Sequence, residues 1–597
     1  MMNFQYDTLA ASVRLKDVIS SASNRAILHR LKNNDPGLTH LSIDESDDDY
    51  GDDDDIFQVR EGDDLGWLGY FIGRNEKLKY LSVCYLPGDA EQGRKFFFGI
   101  QRNTSIDEVD VSIRGFLGES LSVMNLPHVT SISFDSYSKR EDAHYFALGL
   151  RQCEALEDYS GLLTAEIVAS LVSLPWLSNI YIYKRGGLAI NREECMALRE
   201  LVANATGIIH LDLSRVGLGN DGSELLAEGL ACNSSLADGA LDLRGNGIGD
   251  EGLQALASSL ASNAKLRELN LCNNNISDTG WEALAESLAH NRALRVLSIA
   301  ANTAITETGV RAISRILQSR KSRLEDLWLD MINIGEDGGK ILGEALSVNT
   351  SLVLLSLMCG ETDVSIGDDG LKALALGLSR NSHLKILNLS ENTAITSVGL
   401  RSLKQYFRSP SCALDTLFIN SINIGDEGAC ALADALGQNK SLKSLSFDKR
   451  GITSKGMKAF LKLICDSSSP NSIYLSHHTL CKLGDRCFGG WGWRLSGSVR
   501  TSLDTFLGMN NQTPNLAAKV KIMHVFPDLD MVLLFQWNTK FLPLVKRWFD
   551  TVTSDDSAFA ASVQNRKLSA IYKFVRAIAG CKLLPTSSHS AASEYQS

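Results

Sequence analysis

Hydrophobic positions in the middle of the chain follow one frame that repeats every 28 to 32 residues. Leu266, Leu269 and Leu271 form an LxxLxL pattern, which recurs with first residues at Leu294, Leu324, Leu352, Leu384, Leu414 and Leu442. The alternation inside this pattern predicts a half-buried strand. A fixed period of this length predicts a solenoid, in which each repeat buries its apolar face against its neighbours.

A second pattern within each repeat predicts a helix. Apolar residues four positions apart, such as Leu284 and Leu288, follow the glycine at the middle of the repeat. An asparagine recurs near the end of this helix, at Asn233, Asn263, Asn291, Asn349, Asn381 and Asn439. Because asparagine tolerates the left-handed conformation that often ends a helix, we interpret these residues as helix caps. Each repeat is therefore expected to contain one strand and one helix.

These units resemble leucine-rich repeats of the ribonuclease-inhibitor type. The resemblance rests on the LxxLxL frame followed by Asn, Ile and Gly, as in Asn274, Ile276 and Gly280, and extends from about Ile208 to Leu480. It implies an α/β solenoid shaped as a horseshoe, with a concave parallel β-sheet, convex helices and a helical C-terminal cap. It also implies that the usual role is to bind another macromolecule.

Weaker copies of the frame precede the regular repeats and predict strands after Leu38, Leu78, Ile106, Val129 and Leu177. The frame stops after Leu480, where a solenoid needs a cap to cover its exposed end. We predict five segments: an N-terminal helical cap (1–29), irregular leucine-rich repeats (30–207), regular ribonuclease-inhibitor-type repeats (208–483), a helical C-terminal cap (484–584) and a disordered tail (585–597).

Side chains between the core leucines are expected to point away from the core, onto the concave face. Trp328 and Phe418 occupy equivalent places in two blocks offset by 90 residues, and both are large aromatics on a face expected to be wet. Exposed aromatics beside polar groups are typical of binding hot spots, although they can also simply pack along neighbouring strands. The predicted partner-binding residues are Trp328, Asp330, Phe418 and Asn420, with Asp212, Asp242 and Asp448 as polar support.

Charge is concentrated in one short segment. The 597 residues include 59 Lys and Arg against 70 Asp and Glu, a net charge of −11. Nine of the acids lie in residues 44–55, so the remainder carries a net charge of −2. The absence of a basic face argues against nucleic-acid binding. The run follows a predicted strand and makes that repeat twelve residues longer, which indicates a loop insertion, either simply solvated or able to attract a basic partner.

The sequence contains no recognisable catalytic, cofactor or metal motif. Residues 451–458 imitate a phosphate loop, but Met457 stands where lysine is required. His477, His478, Cys481 and Cys487 cluster, although their spacing fits no standard zinc site. No apolar run is long enough to span a membrane, and the twelve cysteines are scattered without a CxxC pair. With no secretory signal at the N-terminus, these features predict a cytoplasmic protein, with a nuclear one possible.

We therefore predict a non-catalytic protein-interaction scaffold without cofactor, nucleic-acid or membrane binding. Two alternatives stay open. One is a regulator of small GTPases, because the resemblance includes Ran GTPase-activating proteins, although no catalytic arginine can be matched and the acidic run is N-terminal. The other is the sensing module of an innate-immune-type receptor, which would normally accompany a nucleotide-binding module.

Overall fold

A computed structural model describes residues 3–10, 12–19, 21–44, 55–60, 63–86, 90–113, 118–136, 140–184, 189–204, 207–232, 239–263, 265–360, 364–448, 451–484, 497–512 and 516–527. The chain divides into two compact units, the N-terminal unit Met1–Asn333 and the C-terminal unit Ile334–Ser597. Most of the acidic run (45–54), the predicted cap beyond 527 and the predicted tail lie outside the described residues.

Parallel strands run through the N-terminal unit with equivalent repeat positions opposite each other, as Leu241 opposite Leu269. The strands are β1 (His40–Asp44), β2 (Asp55–Gln58), β3 (Tyr80–Val83), β4 (Glu108–Ile113), β5 (Ser131–Ser136), β6 (Asp158–Leu162), β7 (Asn179–Tyr183), β8 (His210–Asp212), β9 (Ala240–Asp242), β10 (Glu268–Asn270), β11 (Val296–Ser298) and β12 (Asp326–Trp328).

Helices precede these strands and alternate with them. They are α1 (Asn3–Leu9), α2 (Leu15–Val18), α3 (Ala22–Lys32), α4 (Leu65–Arg74), α5 (Ala90–Ile100), a 3-10 helix (Gly118–Val123), α6 (Arg140–Leu150), α7 (Ala165–Leu171), α8 (Arg192–Asn204), α9 (Gly219–Cys232), α10 (Asp250–Ser262), α11 (Asp278–Leu288) and α12 (Glu307–Gln318).

The C-terminal unit continues the same alternation of strand and helix. Its strands are β13 (Leu354–Ser356), β14 (Ile386–Asn388), β15 (Thr416–Phe418), β16 (Ser444–Ser446) and β17 (Lys482–Leu483). Its helices are α13 (Gly335–Leu346), α14 (Asp368–Leu378), α15 (Ser397–Arg408), α16 (Gly425–Leu436), α17 (Ser454–Ile464), α18 (Pro470–Tyr474), α19 (Gly497–Gln512) and α20 (Ala517–Val525). The predicted α/β leucine-rich-repeat solenoid is confirmed.

The core leucines of the frame are buried between sheet and helices, as Leu269, Leu271 and Leu284 are. At about 25 cal/mol per Å² of apolar area, such repeated burial is the main force that holds the stack together. Among the described helices, none has the length and apolar content needed to cross a bilayer.

A ladder of buried asparagines follows the helices and joins consecutive repeats. The Asn103 amide nitrogen donates to the carbonyls of Ile72 (2.6 Å) and Asn75 (2.8 Å), and its oxygen accepts from the N–H groups of Ser105 (2.7 Å) and Ile106 (2.8 Å). Equivalent bonds form at Asn291 and at the residues Asn75, Asn381 and Asn439.

The interpretation of these asparagines as left-handed caps is therefore wrong. In the described part of the chain, Asn34 and Asn273 are the asparagines with positive φ, and neither belongs to the helix-end set. Asparagine is used at these positions because its side-chain amide can both donate and accept hydrogen bonds. It donates to backbone carbonyls that the end of a helix leaves unpaired, and its oxygen accepts from nearby backbone N–H groups. Asn233 lies outside the described residues.

A second asparagine ladder follows the strands. The side chain of Asn302 is fully buried, and its amide nitrogen donates to the carbonyls of Leu271 (2.9 Å) and Ile299 (2.8 Å). Its oxygen accepts from the Ile276 N–H (3.2 Å) of the preceding repeat. Asn246, Asn274 and Asn392 occupy the same position. These side chains satisfy the backbone where each strand turns towards its helix.

Carboxylates link the starts of consecutive helices and account for the repeat glycine. The Asp278 carboxylate accepts from the Thr306 N–H (2.8 Å), the Thr306 hydroxyl (2.6 Å) and the Gly309 N–H (2.8 Å). A Cβ at Gly309 would lie 2.6 Å from an Asp278 oxygen, so only glycine leaves room for this contact. Asp368 makes the same bonds to its successor.

The acidic run is flanked by two strands rather than by a strand and a helix. Asp44 ends β1 and Asp55 begins β2, and Leu41 of β1 pairs with both Asp55 and Leu81. The sequence analysis did not anticipate β2. Arg30 of α3 pairs with Asp55 and, at 2.7 Å, with Asp35.

Candidate protein-binding face

The predicted site residues alternate with buried strand residues on one face of the sheet, here called the open face. In the N-terminal unit, Asp212 lies opposite Asp242 in adjacent strands. An Asp212 oxygen accepts from the Ser214 N–H (2.8 Å), and an Asp242 oxygen accepts from the Arg244 N–H (2.9 Å). Each aspartate therefore forms an Asx turn that helps to end its strand.

Asp242 is also neutralised by its neighbours. Its second oxygen accepts from the Asn270 amide (3.1 Å) and lies 3.2 Å from the Arg244 guanidinium. This carboxylate is already paired within the sheet, so a partner would have to compete for it. Asp212 and Asp242, predicted to support partner binding, thus each use a carboxylate oxygen to accept from a nearby backbone N–H group.

Trp328 is the most prominent open-face side chain of β12. It lies opposite Ser298, a small residue, and the residue is 36% exposed. Met331, three residues later, is 39% exposed and has a left-handed backbone with φ of 56°. Asp330, between them, is only 8% exposed, and its carbonyl accepts from the Ala301 N–H (2.8 Å). The accessible groups are therefore the indole and the thioether rather than the Asp330 carboxylate.

Carboxylates next to Trp328 make this part of the open face negative. Asp326 precedes it by two residues on the same strand, and Glu268 belongs to β10. Partial burial raises the pKa of Asp326, and the negative charges of Glu325 and Glu268 raise it further. Arg295 forms an ion pair with Glu325 and so offsets part of this negative charge. Sequence reasoning missed Asp326 and Glu268, which occupy the first open-face position of their strands.

In the C-terminal unit, the predicted residues are more tightly held. Phe418 is half-buried and lies opposite Asn388 and Ser446. The Asn420 amide lies 3.4 Å from the Ser390 hydroxyl, and its oxygen accepts from the Ser446 hydroxyl (2.8 Å).

Asp448 is likewise engaged within its own unit. Its carboxylate accepts from the Ser421 N–H (2.8 Å). Asn420 and Asp448 therefore stabilise the sheet and its turns, whereas Trp328 remains the most exposed of the predicted residues.

A further apolar group on the N-terminal unit was not predicted. Tyr181 of β7 occupies the same column as Asp212, is 42% exposed and stacks at a tilt on His210, with ring centroids 5.0 Å apart. Trp176 and Ile209, in the turns that lead into β7 and β8, are also exposed. The frame that begins at Leu177 places Tyr181 at this open-face position, but the list of candidate residues began only at Asp212.

The sequences that imitate phosphate and metal sites have structural roles. The Asp426 carboxylate accepts from the N–H of Gly456 (2.9 Å) and from the N–H and hydroxyl of Thr453 (2.8 and 2.6 Å). These bonds lower the pKa of Asp426, and they place a carboxylate where a phosphate loop would hold its anion. No group of His, Cys, Asp and Glu side chains in the described ranges has a metal-binding arrangement, and Cys487 lies outside those ranges.

Comparison with known proteins identifies leucine-rich repeats at residues 240–257, 262–285 and 380–404. A curated relative, "NACHT, LRR and PYD domains-containing protein 5" of Mus musculus, is 31% identical over 187 residues. The match covers 31% of this chain and 15% of the mouse protein, so the similarity concerns a small part of that protein's length. The chain thus carries leucine-rich repeats, a type of domain that suggests protein–protein interaction.

Proposed function

We propose that the chain is a non-catalytic scaffold that binds a protein partner through the open face of its sheet. The observation that carries this proposal is Trp328, an exposed indole on a sheet surface, close in sequence to exposed Met331 and on the same strand as the carboxylate of Asp326. Aromatic and methionine side chains are enriched in protein interfaces, and tryptophan is a frequent hot spot. The Asx turns and asparagine ladders hold the strands rigid, so little ordering is needed on binding.

The charge around Trp328 favours a partner that presents Lys or Arg side chains. A guanidinium or ammonium group could stack on the indole while it approaches Asp326 and Glu268. Such contacts should accelerate association and weaken as salt screens them. The location is proposed to be cytoplasmic or nuclear, in keeping with described cysteines that form no disulfide bonds with one another.

A second candidate function is ligand sensing within an innate-immune-type receptor. It is favoured by the partial similarity to the mouse protein, whose name includes NACHT and PYD domains. In that case the open face would bind the activating ligand. The GTPase-activating alternative stays a prediction that no particular contact of the described residues favours.

The test compares partner recovery by affinity purification and mass spectrometry for the whole chain and its variants. Trp328→Ala should lower the affinity for the recovered partner by about thirtyfold, corresponding to a hot-spot loss of about 2 kcal/mol. Leu376→Ala is the matched control, because Leu376 is 49% exposed but belongs to helix α14. Equal partner binding by both variants, with unchanged circular dichroism, would show that Trp328 is not part of the interface.

A further inference from the structure

The helix-end ladder of the N-terminal unit shows how a repeat is normally closed. Asn103 donates to the carbonyls of Ile72 and Asn75, as described above. Ser105, two residues later, donates its hydroxyl to the carbonyls of Asn75 (3.0 Å) and Leu78 (2.9 Å). Three backbone carbonyls of one repeat thus accept hydrogen bonds from an amide and a hydroxyl of the next repeat.

The last repeat of the C-terminal unit presents the same three carbonyls, those of Ile464, His477 and Leu480, to different donors. The Lys521 ammonium donates to the carbonyls of Ile464 (2.7 Å) and His477 (3.4 Å). The Asn510 amide donates to the carbonyls of His477 (3.4 Å) and Leu480 (2.6 Å). Lys521 therefore replaces the ladder amide and Asn510 replaces the hydroxyl.

Two histidines complete this junction only when they are neutral. His477 stands at a ladder position, and its Nδ1 accepts from the Leu480 N–H (3.2 Å) as a ladder oxygen would. His478 Nδ1 lies 3.3 Å from the Lys521 Nζ, and its Nε2 is 3.2 Å from the Tyr474 carbonyl. The three protons of the ammonium are thus matched by two carbonyls and one imidazole lone pair. Protonation of either ring would remove an acceptor and add a second positive charge.

The junction is enclosed by helix α20, whose Ala517, Val520, Lys521 and Ile522 are buried, and α20 packs on α18 and α19. Burial lowers the pKa of Lys521 to about 7, while the thiols of Cys465 and Cys481 raise it. The pKa values of His477 and His478 are lowered to about 4, mainly by burial and also by the charge of Lys521 and, for His477, of His478.

Other titratable groups lie on the elements around the junction: Lys462 and Asp466 at the end of α17, Lys482 of β17, Asp504 of α19, and Lys519 and His524 of α20. Asp466 accepts from Ser468 (3.2 Å) and lies 3.8 Å from Lys462. The causes that shift the pKa values of Lys521 and the two histidines include no carboxylate.

We propose that α20 is an acid-released latch, in which Lys521 closes the last repeat and protonation of His477 or His478 frees the helix. The direction follows from linkage. Between the histidine pKa of about 6.5 in the open state and about 4 in the closed state, the open state binds more protons. Closure is therefore most favourable above the open-state pKa and weakens as the pH falls towards 4. Lys521 acts in the same direction, because its pKa is also lowered on closure.

The test is hydrogen exchange of the whole chain, corrected for intrinsic rates, at about pH 7.5 and about pH 5.0. Relative to pH 7.5, protonation of each histidine at pH 5.0 should increase the opening equilibrium of α20 about thirtyfold. Helix α16 is the internal control and should keep its protection at both values. His477→Asn/His478→Gln should abolish most of the acid response, because neither replacement titrates in this range. Lys521→Met should expose α20 at both pH values.

Equal protection of wild-type α20 at both pH values would overturn the proposal. A complete acid response in the histidine double variant would also overturn it, as would unchanged α20 protection in Lys521→Met. Protection of α16 shows whether a variant still folds, so loss of the whole C-terminal unit is distinguishable from release of the latch. The double variant supplies an independent answer if Lys521→Met does not fold.

Discussion

Replacing Asn302 by leucine should be among the most destabilising single changes in the N-terminal unit. Leucine has nearly the same volume, so the change removes hydrogen bonds without leaving a large cavity. It leaves the Ile299 carbonyl and the Ile276 N–H without their side-chain partner, and the Leu271 carbonyl keeps only its bond from the Asn274 amide (3.0 Å). Because Asn302 is fully buried, water cannot replace the amide without a rearrangement.

The magnitude follows from the two groups that lose their side-chain partner, the Ile299 carbonyl and the Ile276 N–H. Each unsatisfied buried group costs about 1 to 3 kcal/mol, so the sum, reduced by local relaxation, is about 2 to 4 kcal/mol. Urea titration followed by circular dichroism would measure this as a lower midpoint, and an unchanged slope would show that the same surface unfolds. Asn275→Ala, at an exposed position next to Ile276 in the preceding repeat, is the control and should stay within about 0.5 kcal/mol of wild type. A loss below about 1 kcal/mol for Asn302→Leu would refute the assignment of the ladder as a main stabilising element.

Two further predictions concern helix packing and thiol reactivity. A Cβ at Gly377 would lie 1.8 Å from the Gly343 carbonyl oxygen, so Gly377→Ala should lower the free energy of unfolding by about 1 to 3 kcal/mol in a urea titration. Gly508→Ala, also within a helix but with open space at its Cβ, should instead add about 0.5 to 1 kcal/mol, and equal effects of the two would contradict the packing argument. In an alkylation experiment followed by mass spectrometry, exposed Cys232 should be modified well before Cys153. Burial raises the pKa of Cys153 to about 11 and shields its thiol. Preferential modification of Cys153 would contradict this reasoning.

The positions of most strands could be predicted because the leucines must recur wherever the stack buries them. The strands predicted after Leu38, Leu78, Ile106, Val129 and Leu177 are present as β1, β3, β4, β5 and β7. Strand β6 was missed, since its frame has Tyr159 and Gly161 at core positions. The structure explains the exchange: a Cβ at Gly161 would lie 2.5 Å from the Tyr159 hydroxyl, so the absent side chain makes room for the large one.

The candidate site was harder to predict, because side-chain direction alone does not reveal hydrogen bonding. Asp242, Asn420 and Asp448 have the expected positions, but each bonds to neighbouring strands or turns. An aspartate two residues before a turn is as typical of an Asx turn as of a binding site. The role of Trp328 in partner binding stays a prediction. The sequence indicated the direction of the Trp328 side chain but not how much of the residue is exposed.

The asparagine ladders give the stack a direction. The Asn302 amide reaches the carbonyl of Leu271 in the repeat before it, and Asn103 reaches Ile72 in the same sense. In both ladders, the carbonyls of one repeat therefore receive side-chain donors from the repeat that follows. Shortening a unit from its C-terminal side should leave unpaired backbone carbonyls at the new end, whereas shortening it from the N-terminal side should leave asparagine amides that have lost an acceptor. After β17, Lys521 supplies to the Ile464 carbonyl the donor that the amide of a further repeat would provide.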